Sequence, residues 1–462
     1  MVFSSIIFLF CFFPVVLFFY FGICRKNTLA KNICLLLASL VFYGYGEGLN
    51  ILLLLFSIGA NYCFGLYLAP GRVKYRKALL TSAVICNIGL LFIYKYLDFT
   101  IININRLFKA DIPLPGIALP IGISFFTFQA LSYVIDVYRG KVPAQKNPLY
   151  TGLYISLFPQ LVAGPIVRYE TIMEQIHERK ETLHGFADGV RRFITGAGKK
   201  VLLADTMSLF ADRIMTGFAG GEGISVSMAW LGGICYTLRI YYDFSGYSDM
   251  AIGLGRMFGF EFEENFNYPY IAKSITDFWR RWHISLSSWF RDYVYIPLGG
   301  NRVSLLKQYR NILIVWMLTG LWHGAAWNFV VWGLYYALLL MFEKSVGYGK
   351  KWSLPALPAH CVTMLLTIIG WVIFAAPSLT VMMRYIASMF GIGAKSVADP
   401  EAFFYIKDNL IFFVSAIAFA MPLGKKLEKA KWVYDLLLCI IFTITIIYII
   451  KGNYSPFIYF NF

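Results

Sequence analysis

Residues 312–332 read ILIVWMLTGLWHGAAWNFVVW, an apolar run interrupted by His323 and its small and amide neighbours. Roughly 20 apolar residues cross a bilayer core as a helix. An ionisable side chain at that depth is costly enough that it raises a functional hypothesis by default. In helical spacing Gly320, His323, Gly324 and Trp327 share one face, which leaves room beside the imidazole. Low polarity disfavours the imidazolium and keeps the ring neutral, the state a general base needs. A histidine hydrogen-bonded to a neighbouring helix explains the same placement equally well.

The rest of the chain agrees with a membrane setting. Of its 462 residues 59% are hydrophobic and 14% charged, with a mean hydropathy of +0.64. Soluble domains carry about 25% charged residues. The 42 Phe and 31 Tyr suit side chains that face acyl tails or sit at the headgroup boundary. The formal charge of +16 does not indicate nucleic acid, because Lys and Arg lie in short loops between apolar runs rather than on one polar face. The eight cysteines are scattered singly without CxxC spacing, so neither a disulfide framework nor a zinc or other metal site is expected.

Apolar windows lie near 4–24, 29–45, 49–69, 78–96, 115–137, 226–257, 311–346, 360–378, 402–423 and 432–450. The 311–346 window is long enough for two helices, and 149–165 and 274–298 read as shorter or re-entrant pieces. The pattern predicts an all-α polytopic membrane protein with about eleven to fourteen membrane segments in a single domain. Within it, N-terminal helices fill about 1–140, a motif-bearing core 149–346, and C-terminal helices with a Tyr-containing tail 360–462. The first run has no basic residue before it and no small-residue cleavage pattern before Arg25, so it reads as a retained helix. Basic residues cluster after the first, third and fifth runs, which by the positive-inside rule places the N-terminus outside. The polar stretch 168–200 is then cytoplasmic, and its charges read mostly as an amphipathic surface segment.

Three of the five histidines, His177, His184 and His360, need no function. His283 lies in a second mixed segment, in which Phe278, Trp282, Leu286 and Trp289 form an apolar stripe and Arg281, Ser285, Ser288 and Asp292 a polar one. This spacing predicts one helix at an interface or lining a wet cavity, with His283 in its wall. Arg280, Arg281 and Arg291 are placed to meet phosphates of lipid or of an anionic donor. Asp243 and Asp249 fall in another apolar run and demand partners, for which Arg239 and Arg256 are nearest in sequence.

Residues 242–260 (YDFSGYSDMAIGLGRMFGF), 265–300 (NFNYPYIAKSITDFWRRWHISLSSWFRDYVYIPLGG), 319–328 (TGLWHGAAWN) and 159–166 (PQLVAGPI) together resemble the bacterial branch of the membrane-bound O-acyltransferase (MBOAT) family. The resemblance is strongest to the integral subunits that O-acetylate alginate and peptidoglycan, and it spans most of the chain. It implies a ring of helices around a thinned centre, with a cytoplasmic funnel for an acyl thioester. His323 matches the family's catalytic histidine and His283 its second chamber histidine. Acetyl-CoA as donor, and an extracytoplasmic polysaccharide or partner acetyltransferase as recipient, are likewise implied by the resemblance, as is a bacterial cytoplasmic membrane location. Trp322, Trp327 and Asn328 are candidate donors to a developing oxyanion, with Asp243 as site support. Tyr459 in the C-terminal tail matches a tyrosine motif of envelope acylation systems, in which a phenol carries the acyl group, and an interfacial aromatic belt is the alternative. Lysines 425, 426, 429 and 431 start the last run in the cytoplasm and deliver this tail outside. Two other readings stay open at this point. One is D-alanyl transfer from a carrier-protein thioester to teichoic acid; the other is a proton-coupled transporter using the same histidines and aspartates.

Overall fold

With no water to satisfy peptide groups in a bilayer, apolar runs fold as helices. The computed structural model describes residues 1–349, 351–423, 431–452 and 457. No β-strand occurs among these described residues. Thr28–Leu68, Arg76–Phe108, Trp327–Val346, Ala356–Ala375 and Lys431–Ile450 are long and apolar enough to cross a bilayer. Pro400–Asp408 and Leu410–Phe419, bent by 74° at their junction, form a broken or re-entrant sixth.

Two of the remaining apolar windows take less regular forms. Residues 8–23 alternate π and α turns, and the 274–298 window contains two seven-residue helices, Ile275–Arg281 and Ile284–Phe290. The helix Val226–Met257 is long, with 32 residues, but it carries Arg239, Asp243, Asp249 and Arg256. Charge inside a helix of this kind is tolerated only with internal partners.

Two compact units divide the chain. The first comprises Met1–Phe193 with Tyr247–Glu263. Its core is aromatic: Phe3, Phe8, Phe42 and Phe158 pack ring against ring at centroid separations of 5.1 to 6.3 Å. Asn61 and Asn87 exchange amide hydrogen bonds of 3.0 and 2.8 Å between two apolar helices, polar glue where the hydrophobic effect gives no drive. Two segments that the charge pattern assigns to one membrane face meet here. Lys31 pairs with Glu181 at 3.0 Å, the Tyr20 hydroxyl donates to Glu181 at 2.6 Å, and Arg179 donates to Asn32 at 2.6 Å. A Cβ on Gly189 would lie 2.6 Å from the Gly253 carbonyl, so two helix backbones touch at that crossing. One turn from it Arg192 clamps Asp249 at 2.6 Å.

The second unit comprises Ile194–Gly246 with Glu264–Phe462. Its core is a tryptophan cluster in which Trp279, Trp332 and Trp371 pack with Tyr336. Glu343 caps the helix Ile275–Arg281 by accepting from the Ile275 and Thr276 amides at 2.6 and 2.9 Å, which also complements the helix dipole. The helices Leu305–His323 and Trp327–Val346 form a hairpin held by small residues. Gly320 lies against the carbonyl of Phe329 and Gly333 against that of Trp316, an approach no side chain would permit.

Candidate active site

His323 is the last residue of its helix, and the chain turns extended at Gly324 (φ −171°, ψ 156°) before the next helix starts at Trp327. The expected single helical face is therefore corrected. Gly320 faces the partner helix, while Gly324 and Trp327 lie beyond the break, with Trp327 47% exposed. The break arises because three small residues at 324–326 close the hairpin where a continuous helix would carry the chain onward. It leaves His323 buried at the inner end of the hairpin, 3% exposed. Trp322, Trp332 and Phe374 surround its ring edge-on at centroid separations of 5.0, 5.1 and 5.2 Å. The Asn328 amide donates to the Phe374 carbonyl at 2.9 Å, which ties it to the wall beside His323.

His283 also sits at a break, and the single amphipathic helix expected around it is corrected to two. The chain leaves Ile275–Arg281 through an extended Trp282, and His283 itself adopts a left-handed conformation with φ 44°. A bulky residue seldom occupies that region, and such outliers gather at functional sites. Strand-like backbone bonds hold it: the Asn267 amide donates to Arg281 at 2.9 Å and the Ile284 amide to Asn265 at 2.9 Å. The Asn265 side-chain oxygen accepts from the Ser285 hydroxyl at 2.9 Å and lies 3.0 Å from His283 Nδ1. Because that oxygen only accepts, Nδ1 carries the proton and Nε2 presents its lone pair, an assignment inferred from the network. Nε2 is buried with no hydrogen-bond partner among the described residues.

The two histidines meet through Trp322. Its indole is 5.9 Å from the His283 ring and 5.0 Å from the His323 ring. Phe244 closes the other side of His283 at 4.5 Å, edge to face, and Phe457 packs on Phe244 at 6.1 Å. Tyr459, two residues beyond Phe457, lies outside the described residues.

Asp243 does not pair with Arg239 or Arg256. Its partner is Lys200, whose ammonium lies 2.8 Å from Asp243 and 2.6 Å from Asp205, with all three side chains at most 5% exposed. Arg239 instead pairs with Asp212. Lys200 is thus a buried anchor rather than part of a solvated surface. The π turn Lys199–Ala204 explains how, because i to i+5 bonding brings Lys200 and Asp205 onto one side. Gly246, one turn past Asp243, lies within 2.7 Å of the Gly196 carbonyl when a Cβ is built on it, so the long helix is seated at the same level. Of the candidate phosphate contacts, Arg280 is exposed, Arg281 pairs with Asp277 at 2.9 Å, and Arg291 pairs with its neighbour Asp292 at 2.7 Å. Sequence reading singled out neither Asn265 nor Lys200. The available signal was the position of Asn265 at the head of the 265–300 motif and the place of Lys200 at the edge of an apolar run.

The model of the MBOAT, membrane-bound O-acyltransferase family, matches residues 144–386, which include both histidines and every partner just described except Phe457. The chain belongs to the membrane-bound O-acyltransferase family. It is 42% identical over 406 residues to the probable alginate O-acetylase AlgI of Pseudomonas aeruginosa, covering 86% of this chain and 76% of the relative. It is 33% identical over 519 residues to the peptidoglycan O-acetyltransferase of Helicobacter pylori, covering 100% and 98%. A teichoic acid D-alanyltransferase of Bacillus subtilis is 30% identical over 267 residues, covering 54% of this chain and 65% of the relative. The protein is therefore a multi-pass membrane O-acyltransferase. The proton-coupled transporter reading falls with this assignment.

Proposed function

We propose that this acyltransferase moves an acetyl group from cytoplasmic acetyl-CoA toward an extracytoplasmic polysaccharide, through a partner acetyltransferase, with His323 as the general base. The observation that carries the reading is the pair of buried imidazoles held on either side of Trp322. In the step, the acceptor hydroxyl gives its proton to neutral His323 while its oxygen bonds the thioester carbonyl carbon. The carbon–sulfur bond then breaks, and the leaving thiolate takes the proton back. His283, fixed by Asn265 with Nε2 facing inward, lies within the same cluster and orients or relays during transfer. Tyr459 is the acyl-accepting phenol in this scheme.

The protein sits in the bacterial cytoplasmic membrane with both termini outside, a reading supported by the loop charges and by the Lys31–Glu181 contact between two basic segments. Inside-out vesicles are expected to use added acetyl-CoA and sealed right-side-out vesicles are not. Within inside-out vesicles, His323→Ala abolishes transfer while insertion and folding persist. Equal use of the donor by both vesicle types would defeat the orientation, and full activity in a folded His323→Ala protein would remove the base. A carrier-protein thioester supporting transfer where acetyl-CoA does not would move the donor to the chemistry named for the Bacillus subtilis relative.

A further inference from the structure

Away from the histidines, the second unit holds a cavity of about 420 Å³ at the end of the helix Asp205–Ala219 and the start of the long helix. That size lies within the range of small-ligand sites. Its walls are built rather than loose. Residues 224–227 and 395–397 pair through three backbone hydrogen bonds of 2.8 to 3.1 Å, and the Asp399 amide donates to the Ser227 hydroxyl at 3.0 Å. The floor is apolar, with Ile214, Phe218 and Met228 at most 9% exposed.

The rim is polar and divided between engaged and unengaged groups. Glu401 accepts from the Tyr405 hydroxyl at 2.6 Å and from Arg213 at 3.4 Å, and the Arg213 guanidinium lies 5.5 Å from the Tyr405 ring centroid. Glu222 and Lys395 line the same cavity, and neither side chain has an ion-pair or hydrogen-bond partner among the described residues. One supplies acceptors and the other donors, set above an apolar floor.

An apolar floor with a rim of carboxylate, ammonium and phenol suits a pyranose ring, whose C–H face packs while its hydroxyls both give and take hydrogen bonds. The carboxylates of Glu222, Asp399 and Glu401 outnumber the cations Arg213 and Lys395, so the lining favours an uncharged sugar over a polyanion. The location fits an acceptor. The chain leaves the polar stretch that ends at Lys200, runs through Asp205–Ala219 to the cavity, and returns along the long helix. Phe244, the residue packed on His283, follows about 27 Å further along that helix.

We propose that this cavity is a saccharide subsite, which holds one or two pyranose residues of the acceptor glycan on the extracytoplasmic side of the acyltransferase. The placement rests on the orientation and acceptor class proposed above, whereas binding itself can be measured without turnover. The test uses the full chain in lipid nanodiscs and titrates two probes, a tetramer of N-acetylglucosamine and a tetramer of mannuronate. The neutral tetramer is expected to bind more tightly, and Glu222→Ala and Lys395→Ala each to weaken it about tenfold, the equivalent of one hydrogen bond to a charged group. His323→Ala binds the tetramer as the wild type does, so failure of the base and failure of the subsite read out separately. Binding of either probe that Glu222→Ala and Lys395→Ala leave unchanged would overturn the proposal. So would binding of neither probe combined with loss of polymer acylation in Glu222→Ala cells, a result that would assign the cavity to a protein partner.

Discussion

Replacing Asn265 with Ala should disable His283 without touching either imidazole. In the structure the Asn265 side-chain oxygen takes three hydrogen bonds, from His283 Nδ1 at 3.0 Å, the Ser285 hydroxyl at 2.9 Å and the Ser285 amide at 3.3 Å. Each buried hydrogen bond contributes about 0.5–1.5 kcal/mol net, so the variant should lose roughly 2–4 kcal/mol of stability, a fraction of what a well-folded chain can spare. The larger effect falls on catalysis. Without its acceptor the ring is free to turn, and a displacement of about 1 Å at a reacting group costs on the order of 100-fold in rate. Transfer from acetyl-CoA in proteoliposomes would be measured beside melting in detergent, so that lost activity can be separated from lost protein. Since Asn265 acts through His283, the double variant Asn265→Ala, His283→Ala should be no worse than His283→Ala alone. Near-normal activity in folded Asn265→Ala, or a double variant about tenfold below the single histidine variant, would refute the reasoning.

Three further outcomes are expected. Lys200→Met leaves Asp205 and Asp243 buried without their shared cation, and removing one partner of a buried ion pair costs about 3–5 kcal/mol. A triple variant with Asp205→Asn and Asp243→Asn should recover most of that loss, and detergent melting checks both. Tyr459→Phe removes only the hydroxyl, so polymer acylation should fall to background while thioester binding persists; retained acylation would leave Tyr459 as a membrane anchor. Gly320→Leu should abolish correct folding of the hairpin, because its side chain would meet the Phe329 carbonyl, and protease resistance of the Leu305–Val346 region in membranes reads this directly.

The membrane class was legible in the sequence, and His323 stood out because an imidazole inside an apolar run is rare whatever surrounds it, whereas His283, in a mixed segment, was marked out by the family resemblance alone. The local geometry was not. Helical spacing placed Gly324 and Trp327 beside His323, and nothing such as a proline marks residues 324–326 as a break. The same rule wrote residues 277–292 as one amphipathic helix. The bonds that interrupt it come from Asn265 and Asn267, which no periodicity within the segment can register. Asp243 demanded a cation, and proximity along the chain suggested Arg239 or Arg256. The true partner, Lys200, arrives from another helix, and its stretch reads as polar surface until tertiary packing buries it. Boundaries and partners set by tertiary contact are where local pattern has least to say.

The π turn Lys199–Ala204 gives the length of this segment a meaning of its own. A π turn holds one residue more than the α turn it interrupts. Deleting one residue there would restore a regular α-helix and leave what lies beyond nearly in phase, because the π turn absorbs its extra residue within a single turn. Lys200 and Asp205 would then stand as an i,i+4 pair on one helix face, and Arg213, two turns on, would keep its place at the cavity it lines. The segment 199–204 therefore acts as slack in the helix: a one-residue gap there would disturb the chain down to Ala219 less than the same gap within the regular turns that follow, where it would rotate the remainder by about 100°.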